Sequence, residues 1–274
     1  MLLNLIEVSF KRNRKIYCTN KDKLDINLGD FVVIEVEKGF DLGCVTNLEF
    51  DDPEFEMKSE PPKIVRNASE NDLQRLDENR KKEELAFNVC REKIHTHNLN
   101  MKLVDVEFQM DENKITFFFT SDRRVDFRNL VKDLAAKYRT RIELRQIGVR
   151  EEARKLGGLG ICGETLCCAS FMQNFSPIST QDAKNQNLPM NPAKLSGTCG
   201  RLKCCMLYEK DFYSNCLKKF PALDTAIETD RGIGYVDRVD IFNDSILLRF
   251  EDDEYEQFSL TDVNALIQLT NPVN

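Results

Sequence analysis

The chain has 274 residues, with 39 Lys and Arg against 46 Asp and Glu, a formal net charge of −7 and a pI near 5.2. That acidity excludes a wholesale nucleic-acid coat, whose phosphate contacts need concentrated Lys and Arg, and the length suffices for two or three modules that need no disulfide staples. No apolar run approaches the roughly 20 residues that span a bilayer, and "MLLNLIEVSF" meets Glu7 before an export signal forms. A cytoplasmic protein without membrane insertion is therefore expected, with its cysteines kept reduced.

The pattern along the chain predicts an α+β protein. Residues 1–60 read as short strands, "LIEVSF", "KIYCT", "FVVIEVEKG" and "LGCVTNLEF", and predict an N-terminal small β-barrel followed by a solvated acidic linker, "EFDDPEFEMKSEPP". Residues 69–147 predict a mixed α/β layer with helices over one sheet face. Its first helix runs from an N-cap at Ser69 to about Asn98, with apolar Leu73, Leu76, Phe87, Cys90 and Ile94 at three- and four-residue steps. The polar middle of this helix predicts a segment left partly uncovered by the core. "KLVDVEFQ" and "KITFFFT" make a hairpin around "MDEN". Asp126 then caps a helix with Phe127, Leu130, Val131, Leu134, Ala135 and Tyr138 on one face, and the strand "RIELRQI" closes the layer. Residues 148–220 form a Cys-rich metal-binding segment, irregular and with too few apolar residues for an ordinary core. Residues 221–274 predict a C-terminal SH3-like β-barrel, with turns at Gly232, Gly234 and Asn243-Asp244.

The densest chemical signal is a repeat. "ICGETLCC" ends at Cys168 and "TCGRLKCC" at Cys205, so C-G-x3-C-C occurs twice, thirty-seven residues apart, and holds six of the ten cysteines. Thiolates are soft ligands that suit zinc or the irons of an iron-sulfur cluster. Structural zinc favours C-x2-C knuckles, which neither copy contains, whereas C-x4-C opens the plant-type ferredoxin site. Gly163 and Gly200 let backbone approach inorganic sulfide closely. Adjacent cysteines diverge by about 100° on a helix, so both members of a pair do not readily serve one ion. A core filler, a metal ligand and a dithiol switch near Arg201 and Lys203 all remain open for the repeat. Cys18, Cys44, Cys90 and Cys216 stand alone and read as small buried hydrophobes.

Other signals are weaker. "GGLGICG" contains G-x-G-x-x-G but runs into the cysteines without opening a helix, and "GGLG" as a nucleic-acid clamp lacks the matching α/β order. His95 and His97 do not share a helix face. No nucleophile elbow, zincin or P-loop motif is present. Between Ser121 and Arg145 eight basic residues face four acidic ones, a modest basic region containing Arg123, Arg124, Arg128 and Lys132.

"GVREEARKLGGLGICGETLCCASFM", "NPAKLSGTCGRLKCCMLYE", "GDFVVIEVEKGFDLGCV" and the trailing "TDRGIGYVDRV" together resemble the RicT (YaaT) family of the PSP-one C-terminal-domain superfamily, across essentially the whole chain. The resemblance implies a non-enzymatic subunit that joins two small helical proteins, RicA and RicF, in a cytosolic complex carrying iron-sulfur clusters, expected to be of the 4Fe-4S type. In sporulating relatives that complex assists endoribonuclease Y in transcript maturation and influences sporulation, biofilm formation and competence. The implied cluster ligands are Cys162, Cys167, Cys168, Cys199 and Cys204, with Cys205 a further candidate. The rival reading is an RNA-binding protein that uses Arg123, Arg124, Arg128 and Lys132 beside a structural zinc or redox-switch cysteine module.

Overall fold

A computed structural model of the chain describes residues 5–36, 39–50, 60–172 and 175–270. The chain divides into two compact units, one of Met1–Phe175 with Gly197–Arg201, the other of Ser176–Ser196 with Leu202–Asn274. Most of the predicted acidic linker lies outside the described residues.

In the first unit β1 (Leu5–Ser9), β2 (Lys15–Thr19), β3 (Phe31–Val36), β4 (Gly39–Phe50) and β5 (Ile64–Asn67) form one sheet of order β2-β1-β4-β3-β5. The strands do not close into the predicted barrel; edges β2 and β5 meet at a single bridge, Thr19 to Lys63. Alternation explains one core, where Val8, Cys18, Val32, Ile34, Val45 and Ile64 share a face. The β3 run Val32-Val33-Ile34 is buried on both faces, because Val33 packs with Leu42 and Met110 on the other side.

The layer that follows matches its prediction closely. Helix α1 (Glu70–Thr96) starts at Ser69, whose hydroxyl accepts the Asp72 amide while the Asp72 carboxylate accepts the Ser69 amide, a reciprocal capping box. Strands β6 (Lys102–Phe108) and β7 (Lys114–Thr120) pair antiparallel, and helix α2 (Arg128–Tyr138) crosses over to β8 (Arg141–Gln146), parallel to β7. Ala86, Cys90 and Ile94 of α1 and Leu130 and Leu134 of α2 bury against Leu103, Val106, Ile115 and Phe117, so both helices cover one sheet face. Asp126 lies one residue before the α2 cap, which is Phe127; its carboxylate accepts both the Arg128 amide and the Arg128 guanidinium.

The middle of α1 corrects the expectation of an uncovered segment. Asn79 and Glu83 are buried, and Glu83 accepts from Lys11 Nζ at 2.7 Å and from the Phe108 amide at 2.9 Å. Around them lies a buried ion network. Lys11 and Arg12 reach Asp105 at 3.0 and 3.2 Å, Arg14 pairs with Asp41 at 2.9 Å, and Lys155 pairs with Glu107 at 2.6 Å and Asp105 at 3.3 Å. Burial pushes the Glu83 and Asp41 carboxyls above the usual range, against the pull of Lys11 and Arg14 respectively. Lys155 belongs to α3 (Val149–Leu156) and also sits over the Phe118 ring at 3.8 Å. The network therefore anchors α3, the helix that leads into the first cysteine motif, onto the sheet.

In the second unit the polar stretch expected to be irregular folds into α4 (Thr180–Asn185) and α5 (Pro192–Leu195), followed by α6 (Cys204–Leu217). Ser179 and Asp182 form a second capping box, and Asn191 caps α5 with Pro192 in its first turn. Their few apolar residues suffice for a small core of Ala183, Leu195 and Met206. Strands β9 (Ala226–Thr229), β10 (Gly232–Asp240), β11 (Ser245–Arg249) and β12 (Tyr255–Ser259) make an antiparallel meander of order β12-β11-β10-β9, without closing into an SH3-like barrel. Helix α7 (Leu260–Thr270), unforeseen in the sequence, adds Val263 to the core of Ile227, Val236, Ile246 and Leu248. Among the described residues no helix is long and apolar enough to cross a membrane.

Candidate metal centre

The two cysteine motifs fold alike, bond for bond. In the first, the Gly160 amide donates to Glu164 O at 2.8 Å and the Gly163 amide to Gly160 O at 3.0 Å, with Leu159 bridged to Thr165. In the second, the Gly197 amide donates to Arg201 O at 2.8 Å and the Gly200 amide to Gly197 O at 2.9 Å, with Ser196 bridged to Leu202. This is the three-residue hairpin loop in which a tight turn ends in one left-handed residue. That residue is Gly163 at φ +84° and Gly200 at φ +72°, where a Cβ would be strained although nothing lies within 4 Å of it. Each loop thus carries one cysteine, Cys162 or Cys199, beside its glycine.

After each hairpin the chain enters a helical turn at the second cysteine. Cys167 opens a short 3-10 turn, Cys167–Ala169, and Cys204 opens α6, whose first turn has no side-chain cap. Residues before these turns have nearly the same backbone, φ −50° ψ 126° at Leu166 and φ −58° ψ 133° at Lys203. Entering a helical turn separates the paired thiols. Cys168 is buried while Cys162 is exposed and Cys167, Cys199, Cys204 and Cys205 are half-buried. Burial, reinforced by Glu209 and Cys204, raises the Cys205 thiol above its ordinary pKa, which disfavours its thiolate.

Cys18 and Cys90 are fully buried, as core fillers should be, and burial pushes both up to about 12. Cys44 and Cys216 are only half-buried. The loop of the second hairpin, Gly197–Arg201, belongs to the same compact unit as the whole first hairpin. Cys199 therefore shares a unit with Cys162, Cys167 and Cys168. Among the described residues no three His, Cys, Asp or Glu side chains already converge around a point that would hold one metal ion. The donor chemistry nonetheless fits a thiolate-held cluster: soft sulfurs carried on two equivalent loops, each turned by a left-handed glycine.

The basic residues are less organised. Arg123, Arg124, Arg128 and Lys132 are exposed, but the Arg128 guanidinium is held by Asp126 at 2.6 Å. Arg150 and Arg154, four residues apart in "GVREEARKL", lie in the first and last turns of α3.

Comparison with known proteins decides the family. The model of the PSP1 C-terminal conserved region matches residues 62–147, and that of the third domain of PSP1-like proteins matches 177–220. The stage 0 sporulation protein YaaT of Bacillus subtilis (strain 168) is 45% identical over 231 residues, 84% of each chain. The chain belongs to the RicT (YaaT) family. An uncharacterized protein of Schizosaccharomyces pombe (strain 972 / ATCC 24843) is 31% identical over 52% of this chain but only 23% of its own length. Protein PSP1 of Saccharomyces cerevisiae (strain ATCC 204508 / S288c) is 48% identical over 46 residues, 17% of this chain and 6% of its own. No solved structure matches. The first match spans β5 to β8, and the second covers α4 to α6, including the second cysteine motif.

Proposed function

We propose that this RicT (YaaT) family chain is a non-enzymatic cytoplasmic adaptor that binds an iron-sulfur cluster, of the 4Fe-4S type, through its repeated cysteine hairpins. In this reading it joins small helical partners of the RicA and RicF kind and modulates transcript processing by endoribonuclease Y, with the sporulation role carried in the name of its Bacillus relative. The observation that carries the reading is the equivalence of the two hairpins. Two stretches with different intervening residues keep the same turn, the same left-handed glycine and the same entry into a helical turn, and what they share in side chains is thiols.

Cys162, Cys167, Cys168, Cys199 and Cys204 would hold the cluster, with Cys205 a further candidate. Bound, the cluster would supply a redox-sensitive, oxygen-sensitive crosslink. Ligation free energy would then be part of the folding free energy of this region. The chain's own residues would do the rest: the buried ion network around Lys155 holds α3, and the glycines set the loops.

Docking is supported by apolar side chains left in solvent next to the first hairpin. Ile161 at the loop is 83% exposed, Leu159 65% and Phe171 54%. Large exposed apolar groups gathered in one place mark partner surfaces more often than chance scatter. Replacing Ile161 and Leu159 by Asp should abolish co-purification of the small helical partners from the native cytoplasm without oxygen, while leaving iron content unchanged. Undiminished capture by that variant would remove the docking role from this face.

A further inference from the structure

In the second unit, three aromatic rings meet where α6 lies beside the turn that joins β10 to β11. Phe212 of α6 stacks on Phe242 at the tip of that turn, ring centres 6.3 Å apart and 29° from parallel, and Tyr213 meets Phe242 edge-on at 6.0 Å. Phe212 and Tyr213 also pack edge to face at 5.7 Å. Phe242 is nonetheless 71% exposed and Phe212 53%, and Tyr208, one turn earlier on α6, is exposed as well. Hydrogen bonds hold the tip: the Asp240 carboxylate accepts from the Phe242 amide at 3.0 Å, the Asn243 amide at 3.2 Å and the Asn243 side chain at 2.8 Å. The rings are therefore in place before anything binds.

The charge on the two segments that supply the rings is almost all of one sign. Residues 209–213 and 240–244 hold four carboxylates, Glu209, Asp211, Asp240 and Asp244, against one ammonium, Lys210. Lys210 is taken by Asp182 at 3.1 Å. Burial, with Glu209 adding to it, raises the Tyr213 phenol above its ordinary pKa, which places the Glu209 charge near that ring. The Asn243 side chain and the Phe242 and Asn243 amides hold the Asp240 carboxyl below the usual range, so it is ionised at neutral pH.

Aromatic faces bordered by carboxylates suit a guanidinium, which stacks on a ring while its fork pairs with an acid. The same border opposes other occupants. A two-fold contact with a second copy sets the acids against themselves, the phosphates of RNA would meet like charge, and a purely apolar helix would desolvate the acids without pairing them. We propose that this platform docks an arginine-bearing segment of another protein, its guanidiniums stacked on Phe242 and Phe212 and paired with the bordering carboxylates. It is a different surface from that around Ile161, which belongs to the first unit.

Fluorescence anisotropy of a short labelled peptide of arginine and leucine, titrated with the purified full chain at about 0.15 M salt, where screening weakens unspecific attraction, tests it beside two versions with lysine or glutamate in place of arginine. Saturable binding of the arginine peptide is expected, about threefold or more tighter than that of the lysine peptide, with none of the glutamate peptide. Phe242→Ala should weaken it about tenfold or more, Asp244→Asn should weaken it less, and Tyr255→Ala, at an exposed ring on β12, should leave it unchanged. Phe212→Ala gives a second reading should Phe242→Ala disturb the turn. Arginine and lysine peptides bound equally, no saturable binding, or both phenylalanine variants binding as tightly as the unaltered chain overturns the proposal. So does a dimer in sedimentation that Phe242→Ala abolishes, which would assign the platform to a second copy.

Discussion

The ten cysteines separate by what surrounds each sulfur. Cys18 and Cys90 sit at 0% exposure in two different cores, and their thiols are pushed up to about 12 from an ordinary 9.0. Because the fold favours the protonated thiol, their contribution is intact below pH 9 and is lost as pH climbs from 9 towards 12. Cys18→Ala and Cys90→Ala should therefore flatten the alkaline limb of a pH–stability curve measured by urea unfolding, and should leave iron content untouched. An alkaline limb of the same steepness in the double variant would mean that these thiols do not govern it. Asp72 behaves oppositely. Arg66 and the Ser69 amide and hydroxyl hold its carboxyl far below the usual range, so its stabilisation is present above that range and disappears as pH falls through it. Ser69→Ala should lower stability by about 1 kcal/mol at neutral pH, read as a shift in urea midpoint.

At the scale of elements, patterning succeeded where side chains obey the inside-outside rule and failed where buried polar groups break it. The α2 stripe from Phe127 to Tyr138 and the β6–β7 hairpin were legible from period alone, and Ser69 was legible as a cap. The middle of α1 was not. Asn79 and Glu83 read as solvated, yet they are buried because Lys11 and the Phe108 amide reach Glu83 from elements distant in sequence, and no local pattern encodes such a partner. The stretch 176–196 looked too polar for a core, but one capping box, the Asn191 cap and Pro192 form short helices that need only Ala183 and Leu195 buried against Met206 of α6. The spacing of the cysteine repeat showed that two loops were equivalent. It did not show their shape, which follows from Gly160 and Gly197 as well as from Gly163 and Gly200. Gly163→Ala and Gly200→Ala each place a Cβ in the left-handed region at a cost of roughly 1–2 kcal/mol. Each should raise amide exchange in its own hairpin and lower iron retention. Exchange rates equal to those of the unaltered chain would show that the turn tolerates a side chain.

At the scale of the whole chain, the first unit joins the N-terminal sheet, the PSP1 layer and the first cysteine hairpin through charge as much as through apolar packing. Lys155 and Asp105 are 4% and 3% exposed, and removing one partner of such a pair leaves a charge buried alone. Lys155→Met should cost about 3–5 kcal/mol and loosen α3, read as a lower urea midpoint. A midpoint within error of the unaltered chain would show that the network does not anchor that helix. The α+β class and the presence of helices over a three-stranded sheet were legible in the sequence. The open sheets in place of barrels were not, since closure depends on strand tilt and register that alternation does not specify.

If two equivalent thiol hairpins hold one kind of inorganic cluster, metal analysis of the chain purified without oxygen will detect it. Iron and acid-labile sulfide should be present together with broad visible absorption, and both should be lost when Cys162 and Cys199 are replaced by Ser in the folded protein. A colourless protein carrying stoichiometric zinc, or iron and colour that survive the double replacement, would contradict it.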